Sequence, residues 1–171
     1  MTSTIILTVI GSDRPGLTGA LADAVLSAGG NWLESHLSRL AGTYVGSVLV
    51  EVPDDGVETL RAAVAAVDAQ GLRVAIVAAG HADATGAELT LAIVGQDRPG
   101  IVREVSTALA ALGVNIEKLE SATEGTAWSG GRLFKAEMQL RLPSGVDAAA
   151  VQDALEAVSA EIMVDIAVAA A

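Results

Sequence analysis

A short run of polar and turn-forming residues occurs twice in this chain with nearly the same chemistry. Gly11-Ser12-Asp13-Arg14-Pro15-Gly16-Leu17 recurs eighty-four residues later as Gly95-Gln96-Asp97-Arg98-Pro99-Gly100-Ile101. Each copy brings an acid, a guanidinium and a glycine together just ahead of a helical pattern. The unpaired amides at a helix start, with the helix dipole behind them, form a seat for a carboxylate. Arg14 and Arg98 could fork onto that carboxylate. Asp13 and Asp97 could hold an amino group of the same ligand, or could cap their helices. Gly16 and Gly100 let the backbone approach a ligand closely, Pro15 and Pro99 fit the first helical position, and Leu17 and Ile101 follow as helical residues. Asn31 and Asn115 keep the same offset. They are expected to begin the second strand beside this loop, where their amides can donate and accept. The candidate ligand-binding set is therefore Asp13, Arg14, Gly16, Leu17 and Asn31 with Asp97, Arg98, Gly100, Ile101 and Asn115. A plain strand-to-helix turn would use the same Asp-Arg-Pro-Gly, and that reading stands beside the functional one.

Other chemistry is sparse. The chain has no cysteine, which removes thiolate nucleophiles and Cys-based zinc sites. His36 and His81 are the only histidines, and neither has a Cys or carboxylate cluster at metal-ligand spacing. His36 is expected to face solvent or an interface. There is no Gly-x-Ser-x-Gly elbow and no Gly-x-Gly-x-x-Gly loop. Gly11–Gly16 has the glycine spacing of a phosphate loop, but Leu17-Thr18 stands where Lys-Ser or Lys-Thr is required. Glu117, Glu120 and Glu124 read as a solvated strand face. Trp128 lies in a loop, Glu124–Arg132, longer than its counterpart in the first copy, and is a candidate lid or partner anchor. No catalytic residue, metal or cofactor is expected, and the chain does not read as an enzyme. A net charge of −11 with only 10 Lys plus Arg would repel a nucleic-acid duplex rather than neutralise it. The apolar runs are too short to span a bilayer, and the N-terminus lacks the basic stretch of a signal peptide, so a cytoplasmic location is expected.

The elements that must position the two turns repeat as well. In the first copy Ile5–Ile10 is an apolar run fitting a strand buried at the middle of a sheet. Leu17, Leu21, Ala24, Val25 and Ala28 follow helical spacing up to the stop signal Gly29-Gly30. Trp32–Leu40 and Tyr44–Val52 are strands around Ala41-Gly42-Thr43, Val57, Leu60, Val64 and Val67 mark a second helix, and Leu72–Val77 is a last strand. The second copy repeats this order with Leu89–Val94, a helix through Ile101, Val105 and Leu109, the strand Leu133–Leu142, a helix through Val151 and Leu155, and Ile162–Val168. Phe134, Ala136, Met138, Leu140 and Leu142 alternate with polar residues, giving one buried and one wet face. The expected class is α+β: two tandem ferredoxin-like βαββαβ domains, each an antiparallel four-stranded sheet with helices on one face. Residues 1–80 form the first domain, 81–87 a linker and 88–171 the second. Open sheet edges would be covered by joining the domains or by dimerisation, and a homodimer is expected.

Asp-Arg-Pro-Gly between an apolar strand and a helix, with an Asn some fifteen residues on, resembles the ACT domain, and the resemblance covers nearly all of the chain twice. More narrowly, tandem domains of this kind with no catalytic or DNA-binding partner, together with Ala127-Trp128-Ser129-Gly130-Gly131-Arg132-Leu133-Phe134, resemble the glycine cleavage system transcriptional repressor family. The resemblance implies a regulatory protein that binds a small amino acid, glycine at the level of the family, where two domains or chains meet. It also implies a protein partner, a transcription factor contacted without touching DNA. A detached regulatory subunit acting on an enzyme of amino-acid metabolism is the alternative. The resemblance leaves open which copy binds.

Overall fold

The computed structural model describes residues 1–68, 71–80, 85–125, 131–158 and 162–168. The chain divides into two units, Met1–Ala82 and Asp83–Ala171. Unit one runs β1 (Thr2–Ser12), α1 (Leu17–Ser27), β2 (Asn31–Leu40), β3 (Thr43–Pro53), α2 (Val57–Asp68) and β4 (Leu72–Ala78), with a single 3-10 turn at Asp54–Gly56. Unit two repeats it as β5 (Ala87–Gln96), α3 (Ile101–Ala111), β6 (Asn115–Gly125), β7 (Arg132–Leu142), α4 (Ala148–Glu156) and β8 (Ile162–Val168). Strand orders are β2-β3-β1-β4 and β6-β7-β5-β8, with every neighbouring pair antiparallel. Both units are thus ferredoxin-like. Of the expected linker, residues 81–84 lie outside the described residues, and Ala87 is already in β5.

Each unit has its own core. In unit one Leu7 and Val9 of β1 and Val48 and Val50 of β3 meet Leu21 and Val25 of α1 and Leu60 and Val64 of α2. In unit two Leu89, Leu91 and Ile93 meet Val105, Leu109, Val151 and Leu155. Because aromatics are scarce, these cores rest on aliphatic side chains whose branched shapes fill a helix-on-sheet layer. The strand β7 alternates as its sequence predicts, with Phe134, Ala136, Met138, Leu140 and Leu142 all buried.

The first strand takes its expected place inside a sheet covered on one face. β1 sits in the interior of its sheet, yet it is buried on one face only. Ile5, Leu7 and Val9 are buried, whereas Thr8 is exposed and Ile10 is 48% exposed. An apolar run cannot distinguish one covered face from two, and here both helices lie on the same side.

The β2–β3 connection is a two-residue hairpin with Ala41 at φ 49° and Gly42 at φ 82°. Positive φ at both central residues is the type I′ pattern, which matches the twist of the strands and favours Asn-Gly. Alanine in the left-handed region is strained by its Cβ, at a cost of roughly 1 kcal/mol. Ala41→Asn is therefore expected to stabilise the protein by about 0.5 to 1 kcal/mol. A rise in the thermal midpoint checks this, and a fall would show that the turn tolerates Ala41 without strain.

Candidate functional site

Both turns are built alike, and their first function is to reverse the chain from a central strand into a helix. Gly16 and Gly100 are the N-caps of α1 and α3, at φ 94°, ψ −7° and φ 99°, ψ −10°. No side chain caps either helix. Two expectations are corrected by this geometry. Asp13 and Asp97 are not caps, because the left-handed cap position is taken by glycine. Pro15 and Pro99 lie one residue before the cap rather than at the first helical position. Their fixed φ suits the second place of a type II turn equally well, and that turn needs glycine in the third. A Cβ on Gly16 would meet nothing within 4 Å, so glycine is required there by the backbone angle and the surrounding space is open.

The two aspartates face guanidinium groups from the next hairpin. Asp13 Oδ2 pairs with Arg39 Nε at 2.9 Å, and Asp97 Oδ2 lies 3.9 Å from Arg132 Nε. Their amides tie the turns to the same hairpins: Asp13 N–H donates to the Gly42 carbonyl (3.1 Å) and Asp97 N–H to that of Arg132 (2.8 Å). Each acid is thus already neutralised by one cation. A ligand amino group would join that pair rather than meet a bare carboxylate.

Around the arginines the copies diverge. Arg98 donates from Nη1 to Glu104 Oε1 at 2.8 Å and from Nη2 to Oε2 at 2.6 Å. The fork expected to receive a ligand therefore already holds a carboxylate from its own helix. This hydrogen bonding above all, helped by the charge of Arg98 and of Arg103, lowers the Glu104 carboxyl from its ordinary value against the opposing effect of desolvation. Unit one has Ala20 at the equivalent position. Its amide donates to Gly16 O as that of Glu104 donates to Gly100 O, both at 2.9 Å. Unit one instead has a hydroxyl pair, Thr18 Oγ1 and Tyr44 OH, 2.7 Å apart. Val102 follows Ile101 as Thr18 follows Leu17. Phe134 stands opposite Gly95 as Tyr44 stands opposite Gly11.

Leu17 and Ile101 are buried core residues, so only their backbone is on offer at the turn. Asn31 and Asn115 do begin β2 and β6, but not beside the turn. Asn31 is level with Glu51 of β3 and hence with Thr4 of β1, nine residues back from Asp13. Asn115 is level with Arg141 and Glu88, nine back from Asp97. At about 3.3 Å per residue this separates each Asn from its turn by about 30 Å. The physical reason is the intervening helix, which carries the chain back along the sheet before the next strand starts. Trp32, next to Asn31, is likewise remote from the turn and packs partly buried on the unit-one core.

Glu104, Thr18, Tyr44, Arg39 and Arg132 were not singled out by motif. Comparing the copies position by position past the motif, Ala20 against Glu104, was the available signal. Glu117, Glu120 and Glu124 are exposed on β6 and pair with Arg141, Lys118 and Lys135, a solvated face laced with ion pairs. His36 is exposed and lies 3.0 Å from Glu34. Among the described residues no group of three or more His, Asp or Glu could hold a metal, and no helix is long and apolar enough to cross a membrane. His81 and Trp128 lie outside the described residues, as does most of the segment between β6 and β7.

Comparison with known proteins agrees with this geometry. Family models described as the ACT domain match residues 3–77 and residues 89–159. A crystal structure of an unknown protein from Galdieria sulphuraria is 27% identical, with a TM-score of 0.87 over 99% of this chain and 100% of that one. A candidate glycine cleavage system transcriptional repressor is 17% identical, with a TM-score of 0.73 over 98% of this chain and 99% of that one, a likeness of fold. No protein of curated function matches the sequence.

Proposed function

The chain belongs to the ACT domain family, carrying the domain twice, and from that premise we propose that it is a non-catalytic regulator that senses a small amino acid. The ligand's carboxylate is received by the turn arginine and the free amides at the helix start, and its amino group by the turn aspartate. The proposed contacts are Asp13, Arg14 and Gly16, and Asp97, Arg98 and Gly100, with Leu17 and Ile101 contributing backbone only. Asn31 and Asn115 are too far from the turn of their own unit to share a ligand with it. The observation that supports the reading most directly is the bidentate carboxylate on Arg98: the arginine of this turn already holds a carboxylate, that of Glu104, in the two-point geometry a carboxylate ligand would use.

Occupancy would change the affinity for a protein partner by linkage, since a ligand shifts any equilibrium whose two states bind it differently. The proposed partner is a transcription regulator of amino-acid metabolism, with glycine as the first ligand to test. Support for this comes from the shared tandem fold with the candidate glycine cleavage repressor. The strongly acidic balance of the chain favours action through a protein rather than on a duplex.

A thermal-shift screen across the common amino acids tests the reading. A true ligand at a hundredfold over its dissociation constant contributes about 2.7 kcal/mol, a rise of roughly ten degrees for a unit of this size. A screen with no responder would leave a scaffold whose turns bind nothing. Co-purification identifies the partner, and recovery of a metabolic enzyme instead of a transcription regulator would replace the partner assignment with a detached regulatory subunit.

A further inference from the structure

The helix-free faces of the two sheets differ in kind. In unit one the register sets side chains in rows across that face. One row runs Glu34, Leu49, Ile6 and Val77 from β2 to β4, and another, four residues along β1, runs Ser38, Val45, Ile10 and Arg73. The row between them begins with His36 on β2 and continues in small side chains. Ile10 and Val77 are 48% and 50% exposed, Ile6, Val45 and Leu49 are partly so, and none of the five packs on the unit-one core. The same places in unit two are chiefly polar. Thr90 and Gln139 stand where Ile6 and Leu49 do, and Lys135 where Val45 does. Lys135, Glu137 and Gln139 of β7 are exposed, so that face suits water. A contiguous apolar patch on one domain, absent from its sister, marks a surface kept for contact.

We propose that this face of unit one docks on the same face of a second copy of the chain, giving a two-fold dimer. Glu34 and Arg73 point to a second copy. They stand at opposite corners of the patch on the two edge strands, separated by about 14 Å across the sheet and about 13 Å along it. Because the two distances are nearly equal, a two-fold axis along the other diagonal exchanges these corners. Glu34 then meets the partner's Arg73, and the contact is made twice, since a two-fold interface is reciprocal. The strands of the two copies cross near a right angle, one of the two ways in which sheets pack face to face. Glu34 lies 3.0 Å from His36 through one carboxylate oxygen, which leaves the other for the partner. Four strands by about seven residues cover roughly 450 Å² per copy. Two copies therefore remove on the order of 1,000 Å² from water, the threshold of a specific interface.

Sedimentation velocity of the full chain at micromolar concentration tests the proposal. The wild type is expected to run as a dimer. Val45→Lys with Leu49→Gln, which gives unit one the residues of unit two, is expected to leave a monomer with an unchanged circular dichroism spectrum. Glu34→Arg alone and Arg73→Glu alone are each expected to raise the dimer dissociation constant about tenfold, the scale of two surface ion pairs lost together. Combined in one chain, the two reversals are expected to restore it. A wild-type monomer would overturn the proposal and give the face to a partner of another sequence. A dimer indifferent to Val45→Lys with Leu49→Gln, or charge reversals that only add when combined, would overturn it as well. If the Val45→Lys, Leu49→Gln chain does not fold, the charge reversals, both at exposed positions, decide alone. No ligand enters the experiment, so a silent amino-acid screen counts against sensing and leaves the dimer to be judged by these measurements.

Discussion

With Arg14 and Arg98 both replaced by alanine, the ligand-induced rise in thermal midpoint is expected to disappear for every amino acid that stabilises the wild type. The argument rests on what remains in each turn. Without the guanidinium, a bound carboxylate keeps only the helix-start amides and dipole, a contribution of about 0.3 to 1 kcal/mol at an exposed site. That compares with the charge-assisted, two-point hydrogen bond an arginine supplies, roughly twice the strength of a neutral one. The double variant should fold, because both arginines are on exposed turns and neither core includes them. Single variants then apportion the effect between the two turns. An undiminished shift in the double variant would take the turns out of the binding site altogether.

The largest expected effect on stability comes from a glycine that no motif marks. Gly46 lies in β3 opposite Leu37 of β2 and Val9 of β1. A Cβ added there would stand 1.9 Å from the His36 carbonyl oxygen and 2.9 Å from the Cα of Leu37. These are backbone atoms of the adjoining strand, so relief requires the β2–β3 pair to separate locally and lose ladder hydrogen bonds. Gly46→Ala is expected to cost about 3 kcal/mol. The thermal midpoint should fall by about twelve degrees or more. The matching place in unit two holds Ala136, opposite Ile93 and Ser121. Ala136→Gly should therefore cost only about 1 kcal/mol, the ordinary penalty of strand glycine. A Gly46→Ala midpoint within two degrees or so of the wild type would mean that the strands adjust freely, and the close approach would lose its significance.

Much of the fold was legible in the residues. The eighty-four-residue repeat, the 3.6-residue spacing of Leu17, Leu21 and Val25, and the alternation through Phe134–Leu142 each reflect a local constraint. Side chains on one face must be apolar wherever one face is covered. The turn itself was legible for the same reason, since Pro-Gly restricts the backbone without reference to the rest of the chain. What failed was always relational. Spacing along the chain sets Asn31 at the start of the strand that follows the Asp13 turn and its helix, which suggests that the two are neighbours. A helix displaces the chain by most of its length, and only the strand register shows that Asn31 ends level with Thr4.

By itself, then, the sequence determined two βαββαβ units, their aliphatic cores and the two turns that bear Asp, Arg and Gly, because each is encoded by short-range periodicity and backbone restriction. Only the tertiary structure decided which charges meet at those turns. Arg39 reaches Asp13 from the far end of a hairpin, and Tyr44 meets Thr18 across twenty-six residues. Glu104 closes on Arg98 because a helix start and a type II turn set their side chains face to face. Electrostatic partnership depends on distances of a few ångströms in space, and spacing along the chain fixes those only after the fold has brought the elements together.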